Sequence, residues 1–213
     1  MTDTRDWFVD GSLEIREGRA GEPTTLVGYA AVFDQETVIT ENGTRWRERI
    51  APSAFHAVLE RADVIAAVNH DPKMVLGRAK AGTLRLSVDR VGLRYDVTLP
   101  NTSLGRDTVE NVRNGNYAGS SFKFSATRDG LDLQKPERGG ELPLIVIRSV
   151  RDLIDVGPVT FPAYSGTSVS ARSGIADLLN EHGACVRAIE EAEERERIRL
   201  RLEIERAKAW ASL

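Results

Sequence analysis

Two neighbouring stretches of strict apolar and polar alternation constrain the fold of this chain more than any other feature. Apolar side chains occupy every second position of Leu84–Val88 and again of Leu93–Leu99, on either side of Val91-Gly92. A period of two places one set of side chains on one face of an extended strand, and a short glycine-containing connection joins such strands as a hairpin. The pattern predicts an antiparallel pair and favours a β-sheet architecture.

Further strands are predicted where short apolar runs end at glycine, proline or other turn formers. These runs cover residues 25–33, 44–50, 64–68, 144–150 and 153–161, and a further strand carries Phe122 and Phe124 on one face. The polar stretch of residues 128–140 is predicted to be a loop. Many strands, with no regular alternation of strand and helix, favour a mostly antiparallel barrel or sandwich with peripheral helices.

Two helices are predicted beside these strands. A short one should begin near Pro52, and a longer one should cover Leu104–Arg113. Thr102 or Ser103 can cap the longer helix, because a side-chain oxygen before the first turn accepts a hydrogen bond from a free N–H group. Gly115 supplies its stop signal. We therefore expect more strand than helix in the body of the chain.

The pattern changes near residues 171–174, which suggests a domain boundary. From Arg187 to Lys208, glutamate and arginine residues alternate in blocks around sparse isoleucine and leucine, which is typical of a solvated helix. The sequence therefore predicts one folded domain over residues 1–172 and a C-terminal charged helical tail over residues 173–213.

Composition and missing motifs narrow the function classes. The 213-residue chain has a net charge of −3, which provides no basic footprint for nucleic acid. No uncharged run reaches the roughly 18 residues of a membrane span, and the first residues lack a signal-peptide pattern. The single cysteine, Cys185, cannot form an internal disulfide, so we expect a reducing, intracellular compartment. Neither a His-Glu-x-x-His zinc motif nor a phosphate-binding glycine loop occurs, so no metal or cofactor is expected.

The three histidines limit any histidine-dependent chemistry to few candidates. His56 and His182 lie on predicted helices among ordinary neighbours and are expected to be surface or packing residues. His70 lies in an Asn-His-Asp-Pro turn at the end of a predicted strand. A histidine in such a turn is usually an ordinary polar turn residue, although it can also serve as a general base. Its position alone leaves both roles open.

A nucleophilic serine needs a base that removes its proton and a third group that orients the base. Ser121 follows Gly119-Ser120 and faces away from the two phenylalanines, which makes it available to solvent or substrate, but no Gly-x-Ser-x-Gly elbow is present. His70 and Asp155 could supply the base and the orienting group. Asp155 could equally pair with Arg148 or Arg151 as an ordinary surface acid, and spacing does not decide between these roles.

Several short elements in a fixed order carry a family resemblance. They are Gly28-Tyr29-Ala30-Ala31-Val32-Phe33, Ile50-Ala51-Pro52-Ser53-Ala54-Phe55, Asn69-His70-Asp71, Leu76-Gly77-Arg78, Gly82-Thr83-Leu84, Gly92-Leu93, Gly119-Ser120-Ser121-Phe122-Lys123-Phe124 and Asp155-Val156-Gly157-Pro158-Val159-Thr160-Phe161-Pro162-Ala163-Tyr164. As an ordered set over most of residues 25–172, they resemble the prohead, or procapsid maturation, serine proteases of tailed bacteriophages.

The resemblance implies a fold and a set of catalytic residues. The family is similar in fold to herpesvirus assembly proteases, which implies a closed antiparallel β-barrel ringed by helices. Matched position by position, the family's histidine falls on His70, its serine on Ser121 and its third member on Asp155. Ser120 and Lys123 depart from the common pattern around the nucleophile, and Asp155 stands where glutamate is frequent. Ser120 is therefore a rival nucleophile.

The resemblance also implies a function and partners. It predicts a serine endopeptidase that cleaves scaffold protein, the major capsid protein or both, and that self-associates inside the assembling procapsid in the host cytoplasm. The alternative from another class is a non-catalytic assembly or scaffolding protein, in which the three residues would be ordinary surface residues. A cellular hydrolase is a third reading. If Asp155 is not the orienting acid, Asp71 or Asp152 would take its place.

Overall fold

A computed structural model of the chain describes residues 3–10, 13–19, 22–41, 44–134, 136 and 141–160. The predicted charged helical tail, residues 173–213, lies outside the described residues. So do residues 161–172, at the end of the predicted protease domain. The division of the chain at Arg172 therefore stays a prediction.

The described residues contain thirteen strands and two α-helices. The strands are β1 (Asp3–Asp10), β2 (Glu14–Arg16), β3 (Thr25–Val32), β4 (Thr37–Glu41), β5 (Thr44–Ile50), β6 (Ile65–Ala67), β7 (Val75–Arg78), β8 (Leu84–Val88), β9 (Gly92–Thr98), β10 (Gly119–Ala126), β11 (Leu131–Gln134), β12 (Leu144–Ile147) and β13 (Asp152–Val159). The helices are α1 (His56–Leu59) and α2 (Ser103–Arg113). The prediction of a mostly β fold with few helices is confirmed.

The strands form three hydrogen-bonded sheets. The five-stranded sheet has the order β1-β10-β13-β6-β7. The β3–β9 sheet has the order β2-β3-β9-β8, and the β5–β12 sheet has the order β11-β12-β5-β4. The five-stranded sheet therefore places β10 and β13 side by side near its centre, with β6 next to β13.

The closed antiparallel barrel implied by the resemblance is wrong for the described residues. Closure requires the outer strands of a sheet to pair with one another, whereas here hydrogen bonding stops at the outer strands of three separate sheets. Two strand pairs, β5 with β12 and β6 with β13, are also parallel. Parallel strands are joined by a long connection and not by a tight turn. These two pairs therefore have no local turn signal in the sequence from which they could be predicted.

One hydrophobic core joins all three sheets and α1. The rings of Phe122 and Phe124 on β10 stack with centroids 4.9 Å apart, and the rings of Phe55 and Phe122 form a T-shaped pair with centroids 5.3 Å apart. Tyr95 of β9 is fully buried in the same cluster. Burying a large apolar side chain stabilises a fold by about 1.5–3 kcal/mol. This packing fixes which side of β10 faces the core.

The local elements with the clearest sequence patterns form as predicted. β8 and β9 pair antiparallel, from Leu84 opposite Val97 to Val88 opposite Leu93. The Oγ1 atom of Thr102 accepts a hydrogen bond from the first turn of α2 at 3.3 Å, so Thr102 is the cap of this helix. Each of these elements depends on neighbours in sequence, which is why pattern alone identified the hairpin and the helix and left only Thr102 and Ser103 as candidate caps.

Two local predictions were wrong. The predicted loop over residues 128–140 contains β11, which pairs antiparallel with β12. With only four residues, β11 carries too little alternation to be recognised without its partner. The short helix begins at His56 rather than near Pro52, because turn hydrogen bonds come first: Ala54 N–H donates to the Ala51 carbonyl at 3.0 Å.

Candidate active site

β10 has two different faces, and Ser121 lies on the one that points away from the core. Phe122 and Phe124 are buried in the core cluster, so strand alternation turns Ser121 and Lys123 to the opposite face. We call this side of β10 the site face. The predicted availability of Ser121 to solvent is wrong, since only 2% of the residue is exposed. β1 and β13 flank its strand on both sides, and its hydroxyl contacts His70.

A β-bulge in β13 brings Asp155 onto the site face. Lys123 pairs with Asp155 but Phe124 pairs with Leu153, so Ile154 is the extra residue. Directly opposed residues on paired strands share a face, so Asp155 shares the face of Lys123 while Leu153 joins the core. In a regular strand both would lie on one face. The bulge therefore separates an apolar core residue from a carboxylate two positions later.

His70 approaches the site face from a tight turn, Val68–His70, that follows β6. The last two residues of this turn have φ values of 51° and 57°, in the left-handed region. Gly157 of β13 gives the chain room to pass, because a Cβ atom there would lie 2.0 Å from the Ala67 carbonyl oxygen. Gly157 is also the strand partner of Ser121. The missing side chain thus lets the strand that leads into the His70 turn run close to Ser121.

The three side chains form one hydrogen-bonded chain. His70 Nε2 lies 2.8 Å from Ser121 Oγ, and His70 Nδ1 lies 2.5 Å from Asp155 Oδ1. The side chains of His70 and Asp155 are 12% and 5% exposed, so water competes little for these contacts and the electrostatic attraction is strong. The structure brings together the three residues that the resemblance singled out.

The location of the ring proton follows from the partners of the imidazole. An ionised carboxylate can only accept hydrogen bonds, so the proton lies on Nδ1 and is donated to Asp155. The neutral ring then has its lone pair at Nε2, where the Ser121 hydroxyl donates. A base held in this tautomer can take the serine proton when the oxygen attacks an electrophile.

The alternative partners of these residues are engaged elsewhere. Asp71 Oδ1 accepts from the Lys73 N–H at 2.8 Å and so shapes the turn after His70. Asp152 Oδ2 accepts from the Ser125 hydroxyl at 2.6 Å. Arg148 pairs with Asp132 at 2.5 Å, and Arg151 pairs with Asp152 at 3.6 Å. Asp155 is therefore the carboxylate that contacts the His70 ring.

Ser120, the rival serine, faces the core. Its Oγ lies 3.0 Å from the hydroxyl oxygen of Tyr95, and both residues are fully buried. Burial raises the pKa of the Tyr95 hydroxyl, which favours its neutral form. A neutral phenol is a poor base, so this contact satisfies two buried hydroxyls and does not activate Ser120.

Sequence reasoning missed how Gly157 and the extra residue Ile154 contribute to the site. Gly157 is part of the motif that begins at Asp155, but it was assigned no function from the sequence. A glycine inside a strand marks a bulge or a close approach of another backbone, and this signal could have identified it. Nothing local marks Ile154, because the bulge is defined only by the register against β10.

The remaining candidate chemistry is limited. His56 is exposed in α1, and His182 lies outside the described residues. In the described ranges, no cluster of three or more histidine, cysteine, aspartate or glutamate residues is arranged to hold a metal ion. None of the helices in that same part of the chain is long and apolar enough to cross a lipid bilayer.

The chain is similar to a protein family and to a solved structure. A family model described as caudovirus prohead serine protease matches residues 11–180, which is most of the chain. The structure of the capsid assembly protease gp21 of bacteriophage T4 is similar with a TM-score of 0.46 and 10% identity, over 76% of this chain and 99% of that chain. No curated protein matches the sequence.

Proposed function

This chain belongs to the family of caudovirus prohead serine proteases, and on that premise we propose that it is a serine endopeptidase of procapsid maturation with Ser121 as its nucleophile. The observation that carries the proposal is the hydrogen-bonded chain from Asp155 through His70 to Ser121, with distances of 2.5 and 2.8 Å. A serine, an imidazole and a carboxylate in this order of contact form the arrangement that activates a serine for acyl transfer.

In the first half of the reaction, Ser121 Oγ attacks the carbonyl carbon of a substrate peptide bond. The C=O π electrons move to the oxygen, and His70 Nε2 takes the hydroxyl proton. Asp155 stabilises the imidazolium that results and keeps its orientation. His70 then gives the proton to the amide nitrogen, the C–N bond breaks, and the amine product leaves while the acyl group stays on Ser121.

In the second half, a water molecule attacks the acyl carbon while His70 Nε2 takes one of its protons. The ester bond to Ser121 Oγ breaks, and His70 returns the proton to that oxygen. The carboxyl product leaves. The cycle consumes one water and restores His70 and Ser121 to their starting protonation states.

The proposed partners follow from the family's name. A prohead protease belongs to an assembling capsid, so the proposed substrates are scaffold protein, the major capsid protein or both. On the same basis the protein would self-associate and act inside the procapsid in the bacterial host. Residues 1–172 would form the protease domain, and the charged tail over residues 173–213 would serve packaging into the procapsid or be removed by self-cleavage.

A fluorophosphonate probe tests the nucleophile, because an activated serine displaces fluoride from phosphorus whereas an ordinary serine does not react. The wild-type protein should be labelled on Ser121, as located by peptide mass spectrometry. The Ser121→Ala protein should not be labelled, and the matched control Ser120→Ala should be labelled at nearly the wild-type rate. A folded wild-type protein that does not react would contradict the proposal and favour the non-catalytic assembly protein.

The substrate class needs a separate experiment. Purified scaffold protein and major capsid protein would each be incubated with the wild-type protein and with Ser121→Ala, and the intact masses recorded. We expect new fragments with the wild-type protein alone. If both partners stayed intact beside a protein that reacts with the fluorophosphonate, the peptidase assignment would stand and the proposed substrates would be wrong.

A further inference from the structure

His70 is held in a different way from the two side chains that it contacts. Ser121 and Asp155 lie on β10 and β13, which are joined over seven residue pairs of one ladder. His70 lies outside that ladder, on the Val68–His70 turn. The position of its imidazole relative to Ser121 and Asp155 therefore depends on what fixes this turn.

The turn has an unfavourable backbone conformation. Asn69 has φ 51° and ψ 32°, and His70 has φ 57°. Residues other than glycine rarely occupy this left-handed region, although asparagine and histidine tolerate it better than most. Two such residues in succession persist only where the surrounding structure holds them.

The side chain of Asn69 supplies such a contact. Its Oδ1 accepts a hydrogen bond from the Thr160 backbone N–H at 2.8 Å, and its Nδ2 donates to Thr160 Oγ1 at 3.1 Å. Thr160 directly follows β13, the strand that carries Asp155. One amide group thus ties the turn of His70 to the end of the strand of Asp155.

Other hydrogen bonds at the turn are local. The Asp71 N–H donates to the Val68 carbonyl at 3.0 Å, and the Val68 N–H donates to the Met74 carbonyl at 3.1 Å. They shape the turn but do not attach it to β13. Within the described residues, the side-chain hydrogen bonds from the turn to β13 and the residue after it come from Asn69 and His70.

We propose that Asn69 is a positioning residue, which clamps the turn to Thr160 so that His70 Nε2 stays within hydrogen-bond distance of Ser121 Oγ. The inference rests on the proposed function, since it assumes that His70 is the base for Ser121. Without the clamp, the turn can relax toward a more favourable backbone conformation and carry the imidazole with it. A displacement of about 1 Å in a catalytic group can lower a rate about 100-fold.

Three variants separate the clamp from the backbone conformation. Asn69→Gly removes the amide but accepts a positive φ without strain, so its effect reports the lost hydrogen bonds. Asn69→Asp keeps an acceptor for the Thr160 N–H, and its second oxygen can accept from the Thr160 hydroxyl, which makes it the rescue variant. Thr160→Val removes only the hydroxyl contact and leaves the backbone contact in place.

The first measurement is the rate of fluorophosphonate labelling of Ser121 across probe concentrations, which separates the maximal rate from the apparent probe affinity. We expect Asn69→Gly to lower the maximal rate about 10- to 100-fold with unchanged affinity. Asn69→Asp should stay close to wild type, and Thr160→Val should lie between the two. Cooperative thermal unfolding of each variant shows that the folded protein is being compared.

The second measurement is the proton NMR signal of His70 Nδ1–H. His70 Nδ1 and Asp155 Oδ1 lie only 2.5 Å apart. The proton between these two atoms should therefore resonate far downfield in the wild-type protein and in Asn69→Asp. In Asn69→Gly the signal should broaden or disappear as the ring loses its fixed position.

The outcomes distinguish this inference from the proposed function. Equal maximal rates and equal NMR signals in folded Asn69→Gly and wild type would overturn the clamp while the peptidase assignment stands. A slower Asn69→Gly that Asn69→Asp does not rescue would also overturn it. A wild-type protein that does not react would overturn the proposed function and the clamp together. If Asn69→Gly does not fold, Thr160→Val carries the test, and a wild-type rate there would count against the clamp.

Discussion

The two faces of β10 carry adjacent serines with different surroundings. Ser120 Oγ lies 3.0 Å from the Tyr95 hydroxyl in the core, whereas Ser121 Oγ lies 2.8 Å from His70 Nε2 on the site face. Both serines are buried, with 0% and 2% exposure. Burial therefore does not distinguish a structural hydroxyl from a candidate nucleophile. The hydrogen-bond partner of each hydroxyl distinguishes them, because a neutral imidazole nitrogen can take a proton and a buried phenol does not.

The faces also differ in what they should tolerate. The core face carries stacked aromatic rings, whose packing depends on volume. The site face carries Ser121 and Lys123, with Asp155 opposite on β13, where the chemical identity of each group matters more than its size. Substitutions on the core face should thus change stability, and those on the site face should change reactivity.

The largest effect is expected from Ser121→Ala. Loss of the nucleophile should lower proteolysis by about 10⁶-fold, and fluorophosphonate labelling should be absent because alanine has no oxygen to react. Its unfolding temperature should stay near that of wild type, because the Ser121 hydroxyl does not support the core. Labelling kinetics and thermal unfolding measure the two quantities. If Ser120→Ala were the inactive variant instead, the family's nucleophilic serine would match Ser120 and not Ser121. The roles of the two faces would then be reversed.

Asp155→Asn should have a smaller effect that is still large. The amide can hold the ring in the wrong tautomer and cannot stabilise the imidazolium, so we expect the maximal rate to fall about 10⁴-fold. His70→Ala, which removes the base, should lose more. The rates of both variants are measured by turnover of a peptide substrate. If no substrate is known, the rate of fluorophosphonate labelling is measured instead. Unchanged activity in Asp155→Asn would favour Asp71 or Asp152 as the acid that orients His70.

Phe122→Ala should act on stability instead of chemistry. The ring stacks on Phe124 and contacts Phe55 in the core. Removing it should destabilise the fold by about 3–5 kcal/mol, as measured by urea denaturation. Labelling per folded molecule should stay within a few-fold of wild type. A loss of reactivity in fully folded protein would show that the two faces are not independent.

Ser120→Ala should have a smaller effect of the same kind. It leaves the Tyr95 hydroxyl in the core without its serine partner, which costs about 1–3 kcal/mol. The double variant Ser120→Ala, Tyr95→Phe should recover much of this free energy, because both polar groups are then removed. Labelling should remain near wild type in both proteins. Additive losses of stability in the double variant would contradict a direct contact between the two hydroxyls.

The smallest effect is expected from ending the chain at Arg172. Glutamate and arginine pairs at i and i+4 stabilise a solvated helix by only about 0.2–0.5 kcal/mol each, so the predicted tail should contribute little to the protease domain. The shortened protein should unfold cooperatively and label at the wild-type rate. If the tail serves packaging, the shortened protein should also lose incorporation into procapsids, whereas a tail without a role would leave incorporation unchanged. Insolubility or non-cooperative unfolding would place the tail in the core and move the domain boundary.

Prediction from sequence was most accurate where the deciding interactions are local. The alternation of Phe122 and Phe124 with Ser121 correctly separated the two faces of β10. Alternation was less informative on β13: Asp155 does face away from Val156 in the core, but Ile154 is 40% exposed as the extra residue of the bulge. For the candidate site, spacing left every residue open, and only the ordered family motifs singled out His70, Ser121 and Asp155.

The sequence by itself determined the mostly β class, the β8–β9 hairpin, helix α2 and the core face of β10. Each depends on preferences that act between residues a few positions apart. Only the tertiary structure decided that three sheets replace the closed barrel, and that His70, Ser121 and Asp155 meet. These features depend on the register between strands far apart in the chain. A slip of one residue turns a side chain such as Asp155 to the other face, and no local pattern encodes that register.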